Sequence, residues 1–148
     1  MRVACTSDLS HGNIFAGGAG MLIAKVTLPI VLTNNNTGRT QHFGRSASQR
    51  KKYERIIRGL FGQQKPFDVP VQIVVIRVLG KNQRLWDYSS VLRGNWKEIE
   101  DALVACGFLH DDGPDYVKLV IGVQETQERD RGPCVDVLFL RSGTLEVV

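Results

Sequence analysis

The sequence predicts an α+β domain, a small mixed β-sheet covered by two helices in the order β-α-β-α-β-β. Three observations predict it. Four short segments are crowded with β-branched and aliphatic residues, two intervening segments repeat apolar residues at helical spacing, and Gly, Pro and Asn separate them. At 148 residues the chain has the length of one domain that buries a single core without disulfides or structural metals.

The first strand is Leu22–Leu28, stopped by Pro29. Thr33-Asn34-Asn35-Asn36-Thr37-Gly38-Arg39-Thr40 is polar and glycine-broken, a loop by its turn chemistry. Ser46 is expected to open a helix, with Gln49 as its capping-box partner. Tyr53, Ile56, Ile57, Leu60 and Phe61 then form an apolar stripe, and Gly62 stops the helix. Off that stripe lie Arg50, Lys51, Lys52, Arg55 and Arg58, a basic surface for either water or a phosphate backbone.

Segment 69–79 is apolar on both faces and belongs in the middle of the sheet. Residues 80–93 make a long connection of little periodicity, the kind of loop that carries function or motion. Asn95 and Glu98 read as a second capping box, opening a helix with the stripe Trp96, Ile99, Leu103 and Cys106 and closed by Gly107. Segments 116–124 and 135–140 are the last two strands, and the charged turn between them suggests a hairpin. Residues 1–20, with the run Ala16-Gly17-Gly18-Ala19-Gly20 and no apolar h-region, read as a disordered leader ahead of a domain spanning 21–148.

Charge is segregated. Residues 37–97 hold thirteen Lys and Arg against Glu54, Asp68 and Asp87, whereas residues 98–148 hold eleven acids against four Lys and Arg. That polarity suits an anionic partner on one face, or two opposite surfaces meeting in a dimer. Cys5, Cys106 and Cys134 are widely spaced, which argues against a zinc site or a disulfide framework and for a reducing cytoplasm. No apolar run reaches membrane-spanning length.

The candidate chemistry centres on Asp111-Asp112, just past the second helix, and on Lys97 near that helix's start. Adjacent carboxylates at such a turn can hold a hard divalent cation, and a nearby lysine can neutralise an oxyanion. The plainer alternative is that two aspartates simply end a helix. Lys97 and Asp101 stand four apart, and as a mere helical pair they contribute about 0.3 kcal/mol. Trp86, Tyr88 and Trp96 offer stacking surfaces for unpaired bases.

From Ala24 to Leu140 the chain resembles the RusA family of Holliday junction resolvases, small dimeric endonucleases often encoded by phages and prophages. The resemblance begins at Leu28-Pro29, the asparagine-rich loop and Gly38-Arg39, and continues through the serine before a basic helix with Gln49 and Tyr53. Its most specific part is Lys97-Glu98-Ile99-Glu100-Asp101-Ala102-Leu103, then Gly107, then Asp111-Asp112-Gly113-Pro114. That block is similar to the family's Lys-x-x-x-Asp-Ala-Leu, Gly, Asp-Asp signature. The family's Asp-x-Asp-Asn before the lysine is altered here to Asp87-Tyr88-Ser89-Ser90, so the second acid is lost.

The resemblance implies a RusA-like fold and a Mg²⁺-dependent phosphodiesterase acting on branched DNA, with Mn²⁺ able to substitute. Asp87, Lys97 and Asp112 would be catalytic, and Asp87, Asp111 and Asp112 would hold the metal. Arg39, Arg45, Lys51, Lys52 and Arg55 would contact phosphates, giving affinity without sequence information. A homodimer would place two sites on opposed strands of a junction. Serine is a poor ligand for a hard cation, so a homologue that binds junctions without cutting them is the alternative.

Overall fold

A computed structural model describes residues 20–34 and 43–142. It contains strands β1 (Leu22–Leu28), β2 (Val71–Val78), β3 (Val117–Glu125) and β4 (Cys134–Arg141), and helices α1 (Phe43–Phe61) and α2 (Trp96–Ala105). A single 3-10 turn, Tyr88–Ser90, interrupts the long connection between β2 and α2. The expected leader lies outside the described residues but for Gly20, as does most of the asparagine-rich loop.

The four strands form one mixed sheet in the order β1-β4-β2-β3. β4 runs antiparallel to both β1 and β2, while β2 and β3 are parallel. The expected hairpin between the last two strands is therefore not formed. β2 lies between them because a strand apolar on both faces gains most from a central place. Its parallel pairing with β3 is possible because the connection through α2 is long enough to cross back. The turn after β3 then passes over the end of β2, where a Cβ on Gly132 would collide with the carbonyl of Leu79.

Both helices pack on one face of the sheet. Val26 and Leu28 of β1, Ile73 and Val75 of β2, and Val135, Val137 and Phe139 of β4 meet Tyr53, Ile57, Trp96, Ile99 and Leu103 there. Three rings fix the centre: Phe139 stacks on Phe108 at 5.8 Å and meets Phe67 at 5.1 Å. The other face carries a second apolar cluster, Val74, Ile76, Val78, Cys134, Leu138 and Leu140, to which no helix residue belongs. Asp136 sits in the middle of that face, fully buried and paired.

Several local expectations change. α1 begins at Phe43, so Ser46 lies inside the helix, and its hydroxyl donates to Glu98 Oε1 at 2.8 Å rather than capping anything. Leu60 of the α1 stripe is 53% exposed, whereas Tyr53 and Ile57 are buried. Asn95 stands at the N-cap of α2 but makes no side-chain cap. Its amide instead donates to the Tyr53 hydroxyl at 2.8 Å and the Val31 carbonyl at 3.0 Å, and accepts the Thr33 N–H at 2.9 Å. A buried amide tying three segments together gains more than one more exposed cap bond would. The stops at Gly62 (φ 67°) and Gly107 (φ 87°) are as expected, each in the left-handed region that favours glycine.

Candidate functional site

The α2 helix and the loop after it bring the acidic signature together around one cation. Lys97, in the first turn of α2, donates to the Asp112 carboxylate, lies 3.1 Å from Asp101 Oδ1 and 3.7 Å from Glu100 Oε1. Helical spacing puts Glu100 and Asp101 three and four residues on, above Lys97 on the same side. The left-handed turn at Gly107 lets the chain double back, so that Asp112 reaches the start of the helix it follows. The Asp112 N–H donates to Asp111 Oδ1 at 2.9 Å, a local turn that fixes the pair.

Electrostatics follow from that arrangement. The hydrogen bond to Asp112 holds the Lys97 ammonium protonated well above the ordinary lysine range, with Asp101 assisting and partial burial opposing. Lys97 in turn keeps the Asp112 carboxyl below the usual carboxylate range. Glu100 behaves oppositely: burial pushes its pKa up, and the nearby Lys97 only partly offsets this. Glu100 was not singled out by sequence reading, although its place three residues after Lys97 is the signal that finds it.

The other candidate residues belong to other elements. Asp87 precedes the 3-10 turn, exposed and without a side-chain cap bond, and Ser89 lies within that turn, also exposed. The turn and the residues after it ride over β3, where Gly122 leaves room; a Cβ there would sit 2.9 Å from the Val91 Cβ. Lys51, Lys52 and Arg55 are exposed along α1. Arg50 instead faces Glu54 at 3.7 Å, and Arg58 donates to the Ala105 carbonyl at 3.3 Å. Arg39 and the side chain of Arg45 lie outside the described part of the chain. Of the aromatic candidates, Trp96 is core, Trp86 is half-buried beneath Arg77, and Tyr88 is 82% exposed.

The donor chemistry bears directly on a bound Mg²⁺. Glu100, Asp101 and Asp112 converge on the Lys97 ammonium, and among the described residues no group of three His, Cys, Asp or Glu is arranged to hold a metal ion. Asp112 places its carboxylate on the Lys97 ammonium, and Ser89 supplies no charge. A hard divalent ion at this cluster would have to displace the Lys97 ammonium from Asp112. No protein-family model matches the chain, and no curated protein matches it. No helix among the described residues is long and apolar enough to cross a membrane.

Proposed function

We propose that the chain is a RusA-like protein that binds branched DNA and does not cut it. The observation that carries this reading is the Lys97–Asp112 ion pair: the carboxylate that a nuclease of this pattern would offer to a metal is held by an ammonium. The loss of the second acid at Ser89 supports it. So does the exposed row Lys51, Lys52 and Arg55, which can neutralise phosphates without reading bases. A gel-shift comparison of a four-way junction with duplex of the same sequence tests it. The expected result is tighter binding to the junction, with the strands intact after incubation in Mg²⁺.

The second reading is a Mg²⁺-dependent junction endonuclease, Mn²⁺ substituting. One observation favours it: Lys97 and Asp112, two of the three residues that the resemblance makes catalytic, meet in space, with Asp101 orienting the lysine. It requires Asp112 to exchange Lys97 for the ion. Mg²⁺-dependent nicking of the junction that disappears in Asp112→Asn decides for this reading and against the first.

In both readings the acting species is a homodimer, matching the two-fold character of a four-way junction. β3 supports it as an edge strand whose Leu119 and Ile121 are 41% and 43% exposed. Sedimentation at micromolar concentration giving the 16.5 kDa of a single chain rejects the dimer.

A further inference from the structure

At the carboxyl ends of the parallel pair β2 and β3, two arginines grip one loop without a carboxylate between them. Arg77 shares the face of Ile73 and Val75 but is only 3% exposed. Its Nη1 donates to the Arg84 carbonyl at 3.0 Å and to Gln124 Oε1 at 2.7 Å, and its guanidinium lies 3.5 Å from the centre of the Trp86 ring. Gln124 locks that ring's backbone in place, accepting the Trp86 N–H at 3.0 Å and donating to the Trp86 carbonyl at 2.9 Å. Arg129, from the turn after β3, sends its Nη1 to the carbonyls of Gly80 at 2.6 Å and Gln83 at 2.7 Å.

The acids close by in sequence are engaged elsewhere. Asp130 pairs with Lys81 at 3.7 Å, Glu128 with Arg131 at 2.5 Å, and Glu125 accepts the Gln127 N–H at 2.5 Å. Among the described residues neither Arg77 nor Arg129 pairs with a carboxylate, and the remaining N–H groups of both forks have no protein acceptor. Burial, followed by the charge of Arg129, pushes the Arg77 pKa down, yet a guanidinium stays charged. Two like charges bonded to carbonyls of one loop without a paired carboxylate are costly, and an oxyanion reached by both offsets that cost. The guanidinium fork matches the oxygens of phosphate, and ligands of open sheets commonly bind beyond the carboxyl ends of parallel strands.

We infer that Arg77 and Arg129, with the exposed Arg84 at the rim, form a phosphate-binding site separate from both α1 and the Lys97 cluster. The ligand is a phosphate oxyanion, supplied by a nucleic-acid backbone or by a free phosphate. The site stands whether or not the protein recognises branched DNA.

Trp86 is the reporter, since the chain has only two tryptophans and Trp96 is buried in the core. The indole N–H resonance of Trp86, assigned by its loss in Trp86→Phe, is followed as inorganic phosphate replaces chloride at constant ionic strength. A saturable shift is expected. Arg129→Gln should weaken it about tenfold or more, the loss of a charge-assisted contact, while the triple variant Lys51→Ala, Lys52→Ala, Arg55→Ala leaves it unchanged. Arg77→Lys, which keeps charge but not the fork, should also weaken it, with circular dichroism confirming the fold. A short oligothymidylate that competes with phosphate for the same shift assigns the ligand to nucleic acid; phosphate saturation with no effect of the oligomer assigns it to free phosphate. No saturable shift, or equal saturation in Arg129→Gln, overturns the site.

Discussion

The ammonium of Lys97 donates to the carboxylate of Asp112, 15 residues further along the chain. That contact joins the first turn of α2 to the loop beyond its end, and it organises the acids around it. Asp101 and Glu100 approach the same cation, so three carboxylates share one positive charge. The cluster is net acidic and half open to solvent, a place where a small change of partner redistributes protons rather than unfolding the protein.

Replacing Lys97 with Met should therefore be visible in titration before it is visible in stability. The Asp112 pKa should rise from its depressed position into the usual carboxylate range, and that of Glu100, already raised by burial, should climb further. A depressed acid lends stability above its unfolded pKa and loses it as pH falls through the folded one; the raised Lys97 lends stability below the ordinary lysine pKa and loses it as pH climbs through its raised value. Because Lys97 is largely exposed, solvent screening limits the global cost to below about 1 kcal/mol. Carboxyl NMR titration checks this. An Asp112 titration identical in wild type and variant would show that the pair does not persist in solution.

Asp136 should behave as the stronger acid–base anchor of the fold. Burial alone would raise its pKa, but the Arg131 fork (2.9 and 2.6 Å), the Thr27 hydroxyl at 2.7 Å and Lys25 at 4.0 Å bring it below the ordinary value. Stability from this group is present above the unfolded carboxylate pKa and lost as pH falls through the folded one. Arg131→Ala leaves the carboxylate buried with burial dominant, so its pKa should move above normal. The acid limb of the stability curve should then reverse sign, with a loss near neutral pH of about 3 kcal/mol. Urea melts across the acid range read both effects, and a wild-type pH profile retained in the variant contradicts the account.

The sequence showed where elements lie better than how they pair. β1 was legible to the residue, because Pro29 ends a run that alternates against one core. The central place of β2 was legible from its two apolar faces. The sheet order was not, since a charged turn between two strands looks the same whether they pair or flank a third. Capping boxes misled at Ser46 and Asn95 for a shared reason: both side chains found partners 42 to 64 residues away, and a local pattern carries no sign of those. At the site, Lys97, Asp101, Asp111 and Asp112 were legible from spacing. Whether Asp112 faces a lysine or an ion was not, because the same residues permit either.

Gly94→Ala should be among the most damaging small substitutions. A Cβ at this position would run into the carbonyl and backbone of Thr33, which no rotamer change relieves. The Thr33 N–H also bonds to Asn95, so displacing this contact disturbs the junction of β1, α1 and α2 together. A loss of about 2–3 kcal/mol is expected, the scale of overpacking a tight backbone contact. A denaturant midpoint within error of wild type would mean that the two segments do not touch.

The basic face of α1 gives the last expectation. Each phosphate neutralised by a lysine or arginine adds about 0.9 to the slope of log affinity against log salt. Lys51, Lys52 and Arg55 are exposed, so changing all three to Ala should flatten the slope for junction binding and weaken junctions of different sequence alike. Arg50 is the internal control. It is two-fifths exposed and directed at Glu54 on its own helix, so Arg50→Ala should leave the slope as it was while removing little affinity. Arg58 serves the same purpose at the other end, spending its guanidinium on the Ala105 carbonyl and Gln63. Fluorescence anisotropy over a range of potassium chloride concentrations separates the outcomes. A slope that falls with Arg50 and not with the exposed trio would place the nucleic acid on a different face of the protein from the one that the charge pattern indicates.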